Sequence, residues 1–166
     1  MLKLIKSSFI DYKLSILRNK KTSNALFRQT MNEVSYLIAA EVLKNLKFKK
    51  IYFDTPLKKT SGKEILKPIV IIPILRAGLG LVEGFLKLLP NVEKGHIGLY
   101  RDEHTYKPVE YLFKLPKIKN KTIIVLDPML ATGNSSVEAI NLVKKSGVSI
   151  NNIFCFFYNL RICSYM

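Results

Sequence analysis

The chain has 166 residues, 48% hydrophobic and 23% charged, a balance that fits one globular domain and excludes wholesale disorder or a fibrous repeat. Its 27 basic and 12 acidic groups leave a net charge of +15, which favours anionic partners (phosphorylated metabolites, nucleic acid or a membrane surface), although a lysine-rich solvated surface produces the same excess. The longest uncharged stretch, residues 146–160, is too short and polar for a membrane helix, and Cys155 and Cys163 match neither a zinc spacing nor a disulfide framework, so a reducing cytoplasm is the expected setting.

At the N-terminus, Asp11 and Lys13 interrupt the apolar core that a secretory leader would need. Residues 23–47 carry Phe27, Met31, Val34, Ile38 and Val42 at steps of three and four, which predicts one long amphipathic helix capped by Thr22 or Ser23. A short edge strand is expected at 49–53, and the polar run 58–63 with Gly62 reads as a hairpin-like turn. Four β-rich segments follow, at 69–72, 96–100, 122–127 and 152–158, with helical patterns at 79–89 and 135–145 between them. Strands alternating with helices predict a mostly parallel α/β sheet with crossovers. The unbroken apolar run Ile123, Ile124, Val125, Leu126 suits a central strand covered on both faces.

The strand expected at 122–127 ends in Asp127, and a loop leads into the helix expected at 135. Ligands of open α/β sheets bind at such strand ends. Ala131–Ser135 offers small residues and backbone N–H groups at a helix N-terminus, a phosphate cradle to which Thr132 and Ser135 add hydroxyls. Asp127 is placed to accept hydrogen bonds from sugar hydroxyls. The alternative is an ordinary capping box, Ser135 with Glu138, and a plain turn at Asp127-Pro128. No Gly-Lys-Ser/Thr follows the glycine, so this is not a P-loop.

DPMLATGNS, residues 127–135, resembles the phosphoribosyl-diphosphate (PRPP) loop of the uracil phosphoribosyltransferase family, with Asn134 in place of a second glycine. Asn tolerates positive φ, so the loop shape is expected to survive. PILRAGLG, 73–80, is similar to the family's diphosphate loop, and GLYRDEHTYKPVEY, 98–111, to its Y-R-x-E-x-T…P-V segment. The resemblance covers most of residues 10–160 and implies a type I phosphoribosyltransferase fold as a single domain, 1–166, with an N-terminal helical segment. It further implies transfer of phosphoribose from PRPP to uracil, giving UMP and diphosphate, with Mg²⁺ accompanying PRPP.

On that resemblance Arg76, Arg101 and Asp127 are the catalytic residues. They also bind PRPP, together with Pro128, Met129, Leu130, Ala131, Thr132, Gly133, Asn134 and Ser135. A homodimer and GTP as an effector are implied as well; a membrane or nucleic-acid partner is not expected. The alternatives are a non-catalytic PRPP-binding remnant or a basic nucleic-acid-binding regulator of the same fold.

Gly78, Gly80 and Gly84 approach the dinucleotide fingerprint, but the spacing is one residue too long and Pro73 is expected to interrupt the preceding strand. His96 reads as structural and His104 as part of a mobile charged loop; two such scattered histidines build no triad and no metal site. The family continues through further strands to a uracil-recognition segment of the form Y-I-x-P-G-L-G-D-A-G-D, whereas residues 159–166 read NLRICSYM. The expectation is therefore a chain lacking the C-terminal strands and the uracil-binding residues, with Cys155, Phe156 and Phe157 left less covered.

Overall fold

The computed structural model describes residues 5–102, 104–105, 108–130 and 132–156. Helix α1, Ser8–Arg18, begins where the Ser7 hydroxyl accepts the Ile10 amide, and it buries Ile10, Leu14 and Leu17 on one face. Helix α2, Asn24–Leu43, is capped by Ser23, as expected, and buries Met31, Val34, Ile38, Ala39 and Val42. It stops four residues short of the expected 47. The Asn45 side chain donates to the Glu41 and Val42 carbonyls at 3.0 and 3.3 Å and satisfies the helix end.

Strands β1, Phe48–Asp54, and β2, Lys59–Ile65, form a separate antiparallel hairpin. The segment expected at 49–53 is therefore not an edge of the main sheet. Of the polar run at 58–63, residues 59–63 are strand rather than turn, because the turn comes earlier. At Thr55–Lys58 the Thr55 amide and hydroxyl both donate to the Lys58 carbonyl, at 3.1 and 2.7 Å.

The main sheet holds β3 (Ile69–Leu75), β4 (Glu93–Lys94), β5 (His96–Arg101), β6 (Pro108–Lys114), β7 (Thr122–Leu126) and β8 (Ile153–Phe156). Its order is β6-β5-β3-β7-β8, parallel except that β6 runs antiparallel to β5, with the short β4 beside β3. Helices α3, Leu79–Leu88, and α4, Asn134–Lys145, supply crossovers. The four expected strands are all present, although residues 157 and 158 of the last lie outside the described residues. Strand β6 and helix α1 were not anticipated.

Pro73 does not interrupt β3. On one side, β4 pairs with Val70 and Ile71 and β5 with Ile74 and Leu75, so Pro73 falls in the gap between them. A residue without an N–H is tolerated there.

Side chains alternate across the sheet. Ile69, Ile71, Ile124 and Leu126 pack beneath α1, α2 and α3, with Phe85 fully buried among them. Val70, Ile72, Ile74, Ile123 and Val125 face the second core, closed by Ala139 and Val143 of α4. A parallel sheet with both faces covered explains the unbroken apolar runs. The glycines of the decoy fingerprint serve this packing: a β-carbon on Gly84 would meet Ser35 at 2.4 Å, where α3 crosses α2, and one on Gly80 would touch Met31 at 3.3 Å. The Ser35 hydroxyl donates to the Leu81 carbonyl across the same contact.

Candidate functional site

The chain path changes direction between β3 and β7. From β3 it crosses to β5 on one side, then returns past β3 to β7 on the other. The carboxyl ends of two strands that diverge in this way leave a crevice, the usual ligand position in open α/β sheets. Pro73 of β3 pairs with Leu126 of β7, so the loops that follow these strands start side by side. Strand β5 flanks β3, with Leu75 opposite Gly98, and brings Arg101 to the same edge.

In the loop after β3 the Leu75–Arg76 peptide is cis, and Arg76 and Ala77 are exposed. Arg76 makes no ion pair among the described residues, so its guanidinium fork remains open to an anion. Gly78 then turns the backbone against the end of β7: a β-carbon there would lie 2.4 Å from the Leu126 carbonyl oxygen. Arg101 is exposed at the end of β5. Beyond it, Asp102 closes a turn by accepting the Thr105 amide at 2.6 Å, the Thr105 hydroxyl at 2.8 Å and the His104 amide at 3.1 Å. These bonds hold its carboxyl below the ordinary range. Glu103, Tyr106 and Lys107 lie outside the described residues.

The loop after β7 starts from a buried acid. Asp127 is 8% exposed. Its Oδ1 accepts the Met129 amide at 3.2 Å, and its Oδ2 accepts the Ser136 hydroxyl at 3.1 Å. Burial pushes its carboxyl up, and the two hydrogen bonds oppose the shift. Pro128 is buried, while Met129, Leu130 and Thr132 are exposed; Ala131 lies outside the described residues.

Gly133 precedes α4 with φ +80°, and the first helical bond runs from the Val137 amide to the Gly133 carbonyl at 2.9 Å. The amides of Asn134, Ser135 and Ser136 precede that ladder, as an anion cradle requires. No side chain caps this helix, so the Ser135–Glu138 capping box does not form.

The expectation for Asn134 also needs correction. The left-handed position belongs to Gly133, and Asn134 is the first helical residue, so its tolerance of positive φ is not called upon.

Ser136 was not singled out from the sequence. A polar side chain one residue further into a helix carries no signal until the strand end it faces is known. His96 opens β5 and is half-buried. Two grooves lie elsewhere. One, of about 130 Å³, sits at the amino ends of β7 and β8 beside Thr122 and Asn152; the other runs along the base of the β1–β2 hairpin.

A family model described as uracil phosphoribosyltransferase matches residues 4–158. The chain is similar to the uracil phosphoribosyltransferase of Clostridium novyi (strain NT), at 49% identity over 88% of this chain and 71% of that protein. It is likewise 47% identical to that of Streptococcus sanguinis (strain SK36), over 93% of this chain and 75% of that one. Among solved structures, the AQ2163 protein from Aquifex aeolicus superposes with a TM-score of 0.86 at 27% identity, covering 96% of this chain and 86% of that one. A purine phosphoribosyltransferase from Pyrococcus horikoshii Ot3 shares the fold, with a TM-score of 0.56 at 19% identity over 78% and 71% of the two chains.

Proposed function

The chain belongs to the uracil phosphoribosyltransferase family, and we infer from that membership that it is a glycosyltransferase making UMP and diphosphate from uracil and PRPP. The observation that carries the reading is the family match across residues 4–158, at 47–49% identity to the two relatives. The grouping of three loops at the carboxyl edge of the parallel sheet agrees with it, as does the net charge of +15 toward a polyanionic substrate.

In our assignment Arg76 and Arg101 clamp the diphosphate, and Asp127 orients the ribose hydroxyls. Pro128, Met129, Leu130, Ala131, Thr132, Gly133, Asn134 and Ser135 form the loop around the 5′-phosphate. As the C1–O bond lengthens, positive charge grows on the ribose and negative charge on the departing diphosphate. The arginine forks stabilise the latter, and uracil N1 attacks from the opposite face, its proton passing to solvent or to the departing diphosphate. Rate enhancement of this kind comes from positioning and preset charge rather than from a side-chain base.

The residues present fit Mg²⁺ that arrives with the substrate. Among the described residues no three His, Cys, Asp or Glu side chains gather into a cage. Mg²⁺ favours phosphate oxygens and retained waters with one or two carboxylates, and Asp127 is the carboxylate at the ribose end. When bound, the ion would neutralise charge on the diphosphate. No described residue is assigned to uracil. One phosphoribosyltransferase-like domain over residues 1–166, a homodimer, GTP as an effector and a cytoplasmic location complete the reading. Among the described residues no helix is long and apolar enough to cross a membrane.

Incubation of the purified chain with labelled uracil, PRPP and MgCl₂ tests the reaction. UMP should form only when all three are present. PRPP with Mg²⁺ should also raise the melting temperature, since a ligand at a hundred times its Kd adds about 2.7 kcal/mol. No UMP and no thermal shift at millimolar PRPP would refute the reading.

A further inference from the structure

We propose that Ser136 is a positioning residue for this reaction, holding the Asp127 carboxylate in the orientation that receives the ribose hydroxyls of PRPP. The inference rests on the reading above and extends it to a residue outside the PRPP loop. Ser136 Oγ donates to Asp127 Oδ2 at 3.1 Å, and the Met129 amide donates to Oδ1 at 3.2 Å. Serine and aspartate are 4% and 8% exposed, so neither side chain can exchange this contact freely for water.

One donor, the Met129 amide, comes from the loop that joins β7 to α4 and the other, Ser136, from the first turn of α4, so each carboxylate oxygen is held from a different element. An ionised carboxylate offers about two acceptor positions on each oxygen. Among the described residues one protein donor reaches each oxygen, which leaves one position on each and matches a vicinal diol.

Helix formation does not account for Ser136. The helix is capped by Gly133 without any side-chain bond, and serine is a poorer helix former than alanine. Without the hydroxyl, the broad χ2 torsion of Asp127 would be held at Oδ1 alone.

The experiment compares ribose 5-phosphate with 2-deoxyribose 5-phosphate, which differ only at the 2-hydroxyl, by calorimetric titration of the wild-type chain, Ser136→Ala and Ser136→Cys. PRPP is titrated in parallel, and each variant's melting temperature is recorded. Wild type should prefer the ribose form. Ser136→Ala should lose on the order of tenfold in affinity for ribose 5-phosphate and PRPP while holding the deoxy sugar nearly as before, because the lost bond involves a charged acceptor. Its melting temperature should fall by a few degrees, because a buried carboxylate oxygen loses its donor, so the deciding readout is the ratio of ribose to deoxyribose affinity rather than stability. Ser136→Cys, with a weaker donor of similar size, should recover part of the preference.

In turnover, KM for PRPP should rise while KM for uracil stays constant. An equal loss for both sugars would show a structural role and overturn the proposal, as would an unchanged preference in Ser136→Ala. Failure of wild type to bind any of the three ligands would overturn the functional reading as well. Normal wild-type binding with an unaltered variant would overturn the Ser136 proposal alone.

Discussion

Gly78 presses its backbone against the carbonyl oxygen of Leu126, so closely that a β-carbon would sit 2.4 Å from that oxygen and 2.7 Å from the amide nitrogen and carbonyl oxygen of Ile74. All three obstacles are backbone and cannot swing aside. Gly78→Ala should therefore destabilise the chain by about 1–3 kcal/mol, the usual range for overpacking, and weaken PRPP binding by displacing Arg76. Urea denaturation reads the first effect and calorimetric titration the second. An unchanged midpoint would mean that the loop has room the geometry denies.

Arg76 is exposed and makes no ion pair among the described residues, so its removal should leave the fold almost untouched. Arg76→Ala should weaken PRPP binding by about 1.5–3 kcal/mol and spare ribose 5-phosphate, which has no diphosphate. Arg76→Lys should recover only part of the loss, because an ammonium is a point charge without the planar fork. Equal losses for both ligands would assign Arg76 to the fold instead.

Two neighbours in the phosphate loop should answer differently to substitution. Gly133 has φ +80°, so Gly133→Ala should cost about 1–2 kcal/mol and distort the cradle. Asn134 is the first residue of α4 and lies outside the left-handed region, so Asn134→Gly should bring no gain in stability. Thermal melts of the two variants make the comparison. A stabilised Asn134→Gly would show that strain sits at Asn134 after all.

The buried carboxyl of Asp127 should make stability depend on pH in an unusual direction. Burial raises its folded-state pKa above the unfolded value, so the folded state binds the proton more tightly. Its contribution is fully present below the ordinary carboxylate range and is lost as pH rises through the raised folded value. Asp127→Asn, which stays neutral, should thus melt higher than wild type near pH 7, and the gap should close in acid. PRPP affinity should fall in the same variant. A wild-type advantage at pH 7 would show that the Met129 and Ser136 hydrogen bonds outweigh desolvation.

The parallel core was legible because its signal is local. A strand covered on both faces must be apolar without interruption, and Ile123–Leu126 is. Helix α2 announced itself by periodicity and by Ser23. The hairpin was misplaced because polar Lys59–Ile65 looks like a turn, while the real turn, Thr55–Lys58, is set by hydrogen bonds of Thr55. Pro73 misled because its tolerance depends on which neighbour ends beside it.

The amino-acid sequence by itself determined the alternation of strands and helices, the arginine and phosphate-loop words, and the family they resemble, since periodicity and motif are properties of neighbouring residues. The tertiary structure alone decided which loops share an edge. Strand order sets Arg76 beside the Asp127 loop although 50 residues separate Arg76 from Leu126. It also decided that Ser136, rather than Ser135, grips Asp127. That bond depends on how α4 leaves the sheet, through the positive φ of Gly133, and a helix direction in space is set by packing against β3, β6 and β8, which no local pattern encodes.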